Sequence, residues 1–195
     1  MHRGPKLRGA NLLFTSFTLP QIHATQFGPM TGALYETQIR TPMHRIPALD
    51  WIIDYLEKGN IPYLICGGLA AQAYGSRRQL ADIDLYVPDQ FINQISYMGK
   101  DYVTFGPAHH IGERWDLTYV QFNYIDQIVE IGSDKECKIY DSISKSWYQK
   151  KLDFKKYQLV SLYGRQLRVM EKDELITYKR KLARKVDLED VNQIV

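Results

Sequence analysis

One stretch, Tyr63 to Val87, constrains the chain more than any other: YLICGGLAAQAYGSRRQLADIDLYV. Tyr63 to Cys66 is a short apolar run that suits a buried strand. Gly67-Gly68 breaks it. Leu69 to Tyr74 is rich in alanine and free of breakers, which predicts a helix of about two turns. Gly75 stands where a helix C-terminus favours glycine. Asp82-Ile83-Asp84-Leu85-Tyr86-Val87 then alternates acidic and apolar residues before turning wholly apolar. A period of two puts Asp82 and Asp84 on one face of a strand. Two carboxylates so placed repel each other and resist burial. A divalent cation resolves the conflict, because hard cations take oxygen ligands. A glycine turn that opens a helix leaves backbone N–H groups free to face phosphate. Metal carboxylates beside a phosphate cradle point to metal-assisted phosphoryl or nucleotidyl transfer.

In this order, apolar-Gly67-Gly68 followed by Asp82-Ile83-Asp84 resembles the signature of the DNA polymerase β-like nucleotidyltransferase superfamily. The fuller string is similar to its small bacterial and archaeal members, among them antibiotic nucleotidyltransferases and nucleotidyltransferase-type toxins. The sharp match covers Tyr63 to Val87; with the downstream elements it extends over Arg45 to Val195. The resemblance implies an α/β (α+β) nucleotidyltransferase fold: a small mixed β-sheet with helices packed against it and a short C-terminal helical segment. It implies an enzyme dependent on Mg²⁺ or Mn²⁺ that moves a nucleoside monophosphate from an NTP such as ATP to a hydroxyl acceptor and releases pyrophosphate.

The resemblance also assigns roles. Asp82 and Asp84 would hold the metal, and a third carboxylate on a neighbouring strand would complete the site and serve as general base. Glu130, in Val129-Glu130-Ile131, is the candidate; an outward-facing glutamate on an amphipathic strand is the other reading. Asp116, in Trp115-Asp116-Leu117, has the same form and is the runner-up. Gly67 and Gly68 would admit the backbone to the phosphates. Of the arginines before the acidic strand, Arg77 and Arg78, the resemblance favours Arg78 for the nucleotide. The pattern Glu174-Leu-Ile-x-x-Lys179…Arg184-x-x-Asp187-Leu-Glu-Asp190 resembles the C-terminal region of small nucleotidyltransferase-like proteins, where Lys179 would reach the triphosphate. Charge complementarity at a helix end explains the same basic residues without a ligand.

Composition narrows the partners. At 195 residues with 45% hydrophobic content, one domain with a real core is expected. A formal net charge of +3 fits a nucleotide or nucleic-acid partner without demanding one. The acceptor is thus open between a small molecule and a macromolecule, with RNA (a tRNA end) or a protein hydroxyl as the toxin-type alternatives. A non-catalytic nucleotide-binding or regulatory protein on the same fold is a third reading, which retention of the acidic residues argues against. Cys66 and Cys137 have no metal-ligand spacing and read as reduced core thiols. No apolar run is long enough for a membrane span, so no membrane partner and a cytoplasmic location are expected.

The remaining chain divides simply. Residues 1–42 lack periodicity and read as a poorly ordered extension, or Met43 is the true start; residues 43–195 form the domain, with C-terminal helices from about 171. Ile46 to Lys58 predicts an amphipathic helix. Phe91 to Met98 predicts another, and Tyr102 to Phe105 a short strand, giving a strand–helix–strand crossover. Gly106 to Arg114 reads as a loop whose His109 and His110 are either exposed or in contact with substrate. Asp116 to Tyr124 and Gln127 to Ile131 predict two strands turning at Asn123 to Asp126. Lys138 to Tyr140 predicts a third, and Tyr157 to Met170 a hairpin turning at Tyr163-Gly164-Arg165. Ser144 to Lys156, with Trp147, Tyr148 and Phe154 among lysines, reads as a surface loop anchored by its aromatics, or as a contact for bases and phosphates. Glu171 to Arg184 predicts a helix, and Asp187 an N-cap for a second one.

Overall fold

The computed structural model describes residues 45–195. The stretch 1–42, read above as an extension, lies outside the described residues.

Helix α1 (Pro47–Lys58) follows from its sequence at both ends. Pro47 supplies a fixed φ in the first turn, and Gly59 follows the last. Ala48, Leu49, Ile52, Ile53 and Leu56 form its inner stripe, none more than 1% exposed. Burying each large aliphatic side chain contributes roughly 1.5–3 kcal/mol, which holds a helix too short to persist alone. Arg165 ties this helix to a distant strand through Asp50 at 3.2 Å, Asp54 at 2.6 Å and Glu57 at 3.2 Å.

The sheet is mixed and larger than expected. Its strands are β1 (Leu64–Ile65), β2 (Asp82–Val87), β3 (Val103–Ile111), β4 (Trp115–Tyr124), β5 (Gln127–Ser133), β6 (Lys138–Asp141), β7 (Ser146–Gln149), β8 (Gln158–Leu162) and β9 (Arg165–Val169). They lie in the order β7-β6-β4-β5-β2-β1-β9-β8, with β3 paired to β4. The short helices α2 (Gly67–Ala73) and α3 (Ile92–Met98) follow β1 and β2; α4 (Lys172–Leu182) and α5 (Lys185–Ile194) close the chain.

Side-chain alternation assigns the two faces of the sheet. Phe122 and Tyr124 of β4 meet Trp51 of α1, which stacks on Tyr124 at 4.7 Å, and Phe122 packs beneath Gly99 at the end of α3. That face carries α1 and the end of α3. Trp115, Leu117 and Tyr119, of the opposite parity, line a cavity with Tyr178 and Lys179 of α4. The site is therefore on the other face, under the C-terminal helices.

Several local expectations change. The crossover after β2 does not deliver a neighbouring strand: β2 pairs in parallel with β5, and β5 and β4 stand between it and β3. Gly106 to Ile111 is strand rather than loop, bulged against β4 and carrying both histidines. Gly67-Gly68 is not a separate turn but the first turn of α2. Ser144 to Lys156 contains the exposed strand β7, and Lys150 is buried and paired with Glu174 at 2.9 Å. Asp187 is not an N-cap. Helix α5 begins at Lys185 behind Arg184, and Asp187 sits one turn in, accepting from the Arg184 backbone N–H in a capping box. Cys66 and Cys137 are both free and buried. Among the described residues, no helix is long and apolar enough to cross a membrane.

Candidate active site

Strand β2 sets the site. Its period of two turns Ile83 and Leu85 into the core and leaves Asp82 and Asp84 half-buried on the cavity side. The parallel register of β2 and β5 then matters most, because it sets Asp84 opposite Glu130. Asp82, Asp84 and Glu130 each offer a carboxylate oxygen within 4.8 Å of the others. Glu130 is oriented by Gln121 of β4, whose side-chain amide donates to it at 2.7 Å. Among the described residues, no donor reaches the carboxylates of Asp82 or Asp84. Burial first, then the charges of Asp82 and Glu130, push Asp84 up to about 7. Three carboxylate oxygens converging with few donors suit a hard divalent cation, which neutralises the repulsion that the fold imposes on them. The runner-up, Asp116, lies on the opposite face of β4 from the cavity, where it pairs with Lys138 at 2.9 Å and His109 at 2.8 Å.

The glycines press against this cluster. Gly67 has φ +60°, and a Cβ there would fall 1.8 Å from an Asp84 carboxylate oxygen. Its lack of a side chain is what lets the first turn of α2 lie on the acidic strand. The Cys66 N–H donates to the Asp84 carbonyl at 3.0 Å and fixes the approach. Gly68 meets the guanidinium of Arg78 instead, 2.7 Å from the position of a Cβ.

Arg78 and Lys179 both line the cavity, and both are held by buried acids of α5. Arg78 donates to both oxygens of Asp190 at 3.1 Å. Lys179, 1% exposed, donates to Asp190 at 2.8 Å and to Asp187 at 3.3 Å. Ser76 adds a bond to Asp190 at 2.7 Å, and Arg184 grips Asp187 with two nitrogens at 2.7 and 3.0 Å. Burial raises Asp190, but the donors Arg78, Lys179 and Ser76 outweigh it and hold the carboxyl below its ordinary range. Three cations thus share two buried aspartates, leaving a net positive rim beside the acidic cluster. The other arginine, Arg77, docks its backbone N–H on Gln193 at 2.7 Å.

The cavity encloses about 430 Å³ and brings in residues that the sequence did not single out. Tyr119 and Gln121 lie on the same face of β4 as Trp115, a grouping that alternation alone could have found. Trp115 donates to the Tyr178 hydroxyl at 3.0 Å and carries the Arg184 guanidinium at 4.7 Å. His110 lines the cavity, while its neighbour His109 serves Asp116 on the other face.

Solved structures share this architecture. A candidate nucleotidyltransferase from Thermotoga maritima aligns with a TM-score of 0.59 over 74% of this chain and 88% of its own, at 18% identity. This chain has the nucleotidyltransferase fold. The lincosamide antibiotic adenylyltransferase LnuA, in its lincomycin-bound form, aligns over 77% of this chain and 97% of its own, with a TM-score of 0.52 at 13% identity. No family model matches the sequence, and no curated protein matches it. On the nucleotidyltransferase fold, then, the acids of β2 and β5, the glycines of α2 and the cationic rim of α4 and α5 all open on one cavity.

Proposed function

We propose that the protein is a metal-dependent nucleotidyltransferase that moves a nucleoside monophosphate from an NTP to an acceptor hydroxyl. One observation carries the reading: Asp82, Asp84 and Glu130 converge within 4.8 Å on adjacent parallel strands of a nucleotidyltransferase fold. These three would hold Mg²⁺ or Mn²⁺, which when bound neutralises charge on the phosphoryl oxygens and favours the alkoxide form of the acceptor. Glu130, oriented by Gln121, takes the proton from the attacking hydroxyl. The acceptor oxygen bonds to the α-phosphorus as the bond to the β-phosphate oxygen breaks, and pyrophosphate departs. Arg78 and Lys179, which line the same cavity, meet its growing charge. Gly67 and Gly68 let the first turn of α2 lie close against Asp84 and Arg78, which brings its backbone to the phosphates.

The reading is tested by incubating the purified protein with each α-labelled NTP and Mg²⁺, alone and with total RNA, protein or a panel of hydroxyl compounds. Label transferred with release of pyrophosphate is the expected result. Folded protein that transfers nothing to any fraction would count against it.

A further inference from the structure

The order of strands across the sheet separates the two halves of the cavity. Passing from β1 through β2, β5 and β4 to β3, the chain presents in turn the glycines of α2, the paired aspartates, Glu130, Tyr119 and His110. Displacement at phosphorus sets the attacking and leaving oxygens roughly in line. With the pyrophosphate against Gly68 and Arg78, which touch each other beside β2, the acceptor enters from the β4–β3 side, past Glu130. That entrance is aromatic. Phe105 stacks on Tyr119 with centroids 4.8 Å apart, and His110 stands edge-on to Tyr119 at 5.8 Å and to Phe105 at 6.2 Å. Phe105 is 36% exposed, more than a core residue of its size would be. The three rings pack together, with Phe105 at the solvent end and Tyr119 and His110 lining the cavity that holds the acids. Such a group offers π-faces to a flat partner. Its charge is equally selective. The acidic side chains among the cavity-lining residues are Asp82, Asp84 and Glu130, all committed to the metal cluster, while Arg184 and His110 add positive or neutral character. A polycationic acceptor would find no free carboxylate there.

We propose, resting on the transferase reading above, that the acceptor carries a planar, non-cationic ring close to its reacting hydroxyl, and that Phe105, Tyr119 and His110 receive that ring. A nucleoside at the end of an RNA chain and a free aromatic alcohol share this chemistry.

The test uses the whole chain with Mg²⁺ and saturating α,β-methylene-ATP, whose own binding is measured first by calorimetry. Cytidine, the dinucleoside phosphate CpC, 4-hydroxybenzyl alcohol and kanamycin are then titrated against this complex. At least one ring-bearing probe should bind tighter than kanamycin; preference for CpC over cytidine marks a nucleic-acid end, and the reverse a free compound. Phe105→Ala and Tyr119→Leu, each checked for folding by its thermal melt, should weaken that probe at least tenfold more than they weaken the nucleotide analogue. Tighter binding of kanamycin, no ring probe bound beside a bound analogue, or indifference to both substitutions overturns the proposal. A folded protein that fails to bind the analogue overturns the transferase reading itself, and this proposal with it.

Discussion

Gly67 holds a backbone conformation that side chains resist, with the Asp84 carboxylate filling the space a Cβ needs. Gly67→Ala should cost about 1–3 kcal/mol in urea denaturation. Gly68→Ala should cost less, because its φ is ordinary and its contact with the Arg78 guanidinium, at 2.7 Å, is looser than that of Gly67 with Asp84; equal losses would contradict this geometry. Asp84 gives a signed prediction. Its folded-state value of about 7 means that the native protein keeps a proton which the unfolded chain releases near pH 4. Without divalent cation, its contribution to stability is fully present below about pH 4 and is lost as pH rises through about 7. Asp84→Asn mimics the protonated form, so its stability advantage over wild type should grow from pH 5 to pH 8. Added Mg²⁺ should raise the wild-type Tm more at pH 8 than at pH 5. A flat difference would mean that Asp84 is ionised throughout. Glu130→Gln should leave Mg²⁺-dependent NTP binding in place and lower turnover by about 10²–10⁴-fold; full activity would move the base role elsewhere. At this scale the sequence was most legible. Asp82 and Asp84 declare themselves by spacing, whereas Glu130 gains its place only from a register between strands far apart in the chain. Alternation groups Gln121 and Tyr119 with Trp115, but it does not say that their face of β4 is the one that meets the acids.

The element that completes the site is α5. Its Asp187 and Asp190, both fully buried, bind Lys179, Arg78, Ser76 and Arg184 and so fasten the end of the chain to the loop before β2. Asp190→Ala leaves Arg78 without its buried partner and Lys179 with Asp187 alone, and should destabilise the protein by about 3–5 kcal/mol. The exposed Glu189, one position away, should tolerate alanine within about 0.5 kcal/mol in the same thermal melts. Comparable losses at both positions would show that α5 docks by some other means. The helices α1 and α4 were readable from their apolar stripes and charge order. The start of α5 was not. The break before it is a left-handed turn at Ala183, φ 51°, in a residue that rarely signals one. β3 was obscured because Gly106-Pro107 and the histidine pair look like loop chemistry, although β4 supplies a partner along its length. β7, exposed at every residue, has no alternation to read.

For the whole molecule, the sheet acts as a ruler. Gly67 follows β1, the aspartates stand on β2, Glu130 on β5, and the aromatic entrance on β4 and β3. Neighbours in that row are far apart in sequence, so the string Tyr63 to Val87 could announce the fold and two of the three acids but not the row. The helices α4 and α5 then cover one end of it with buried ion pairs, giving one cavity lined by the three acids, by Arg78, Lys179 and Arg184, and by the rings of Trp115, Tyr119 and His110. If the acidic cluster binds a metal–nucleotide complex, nucleotide affinity depends on the metal and on both aspartates. The most direct measurement is calorimetric titration of ATP into wild type and Asp82→Ala/Asp84→Ala, each with Mg²⁺ and with EDTA. Wild type should bind only with Mg²⁺, and a double variant that remains folded and melts no lower than wild type without metal should not bind. Binding that survives loss of both aspartates, or that ignores Mg²⁺, would contradict that dependence.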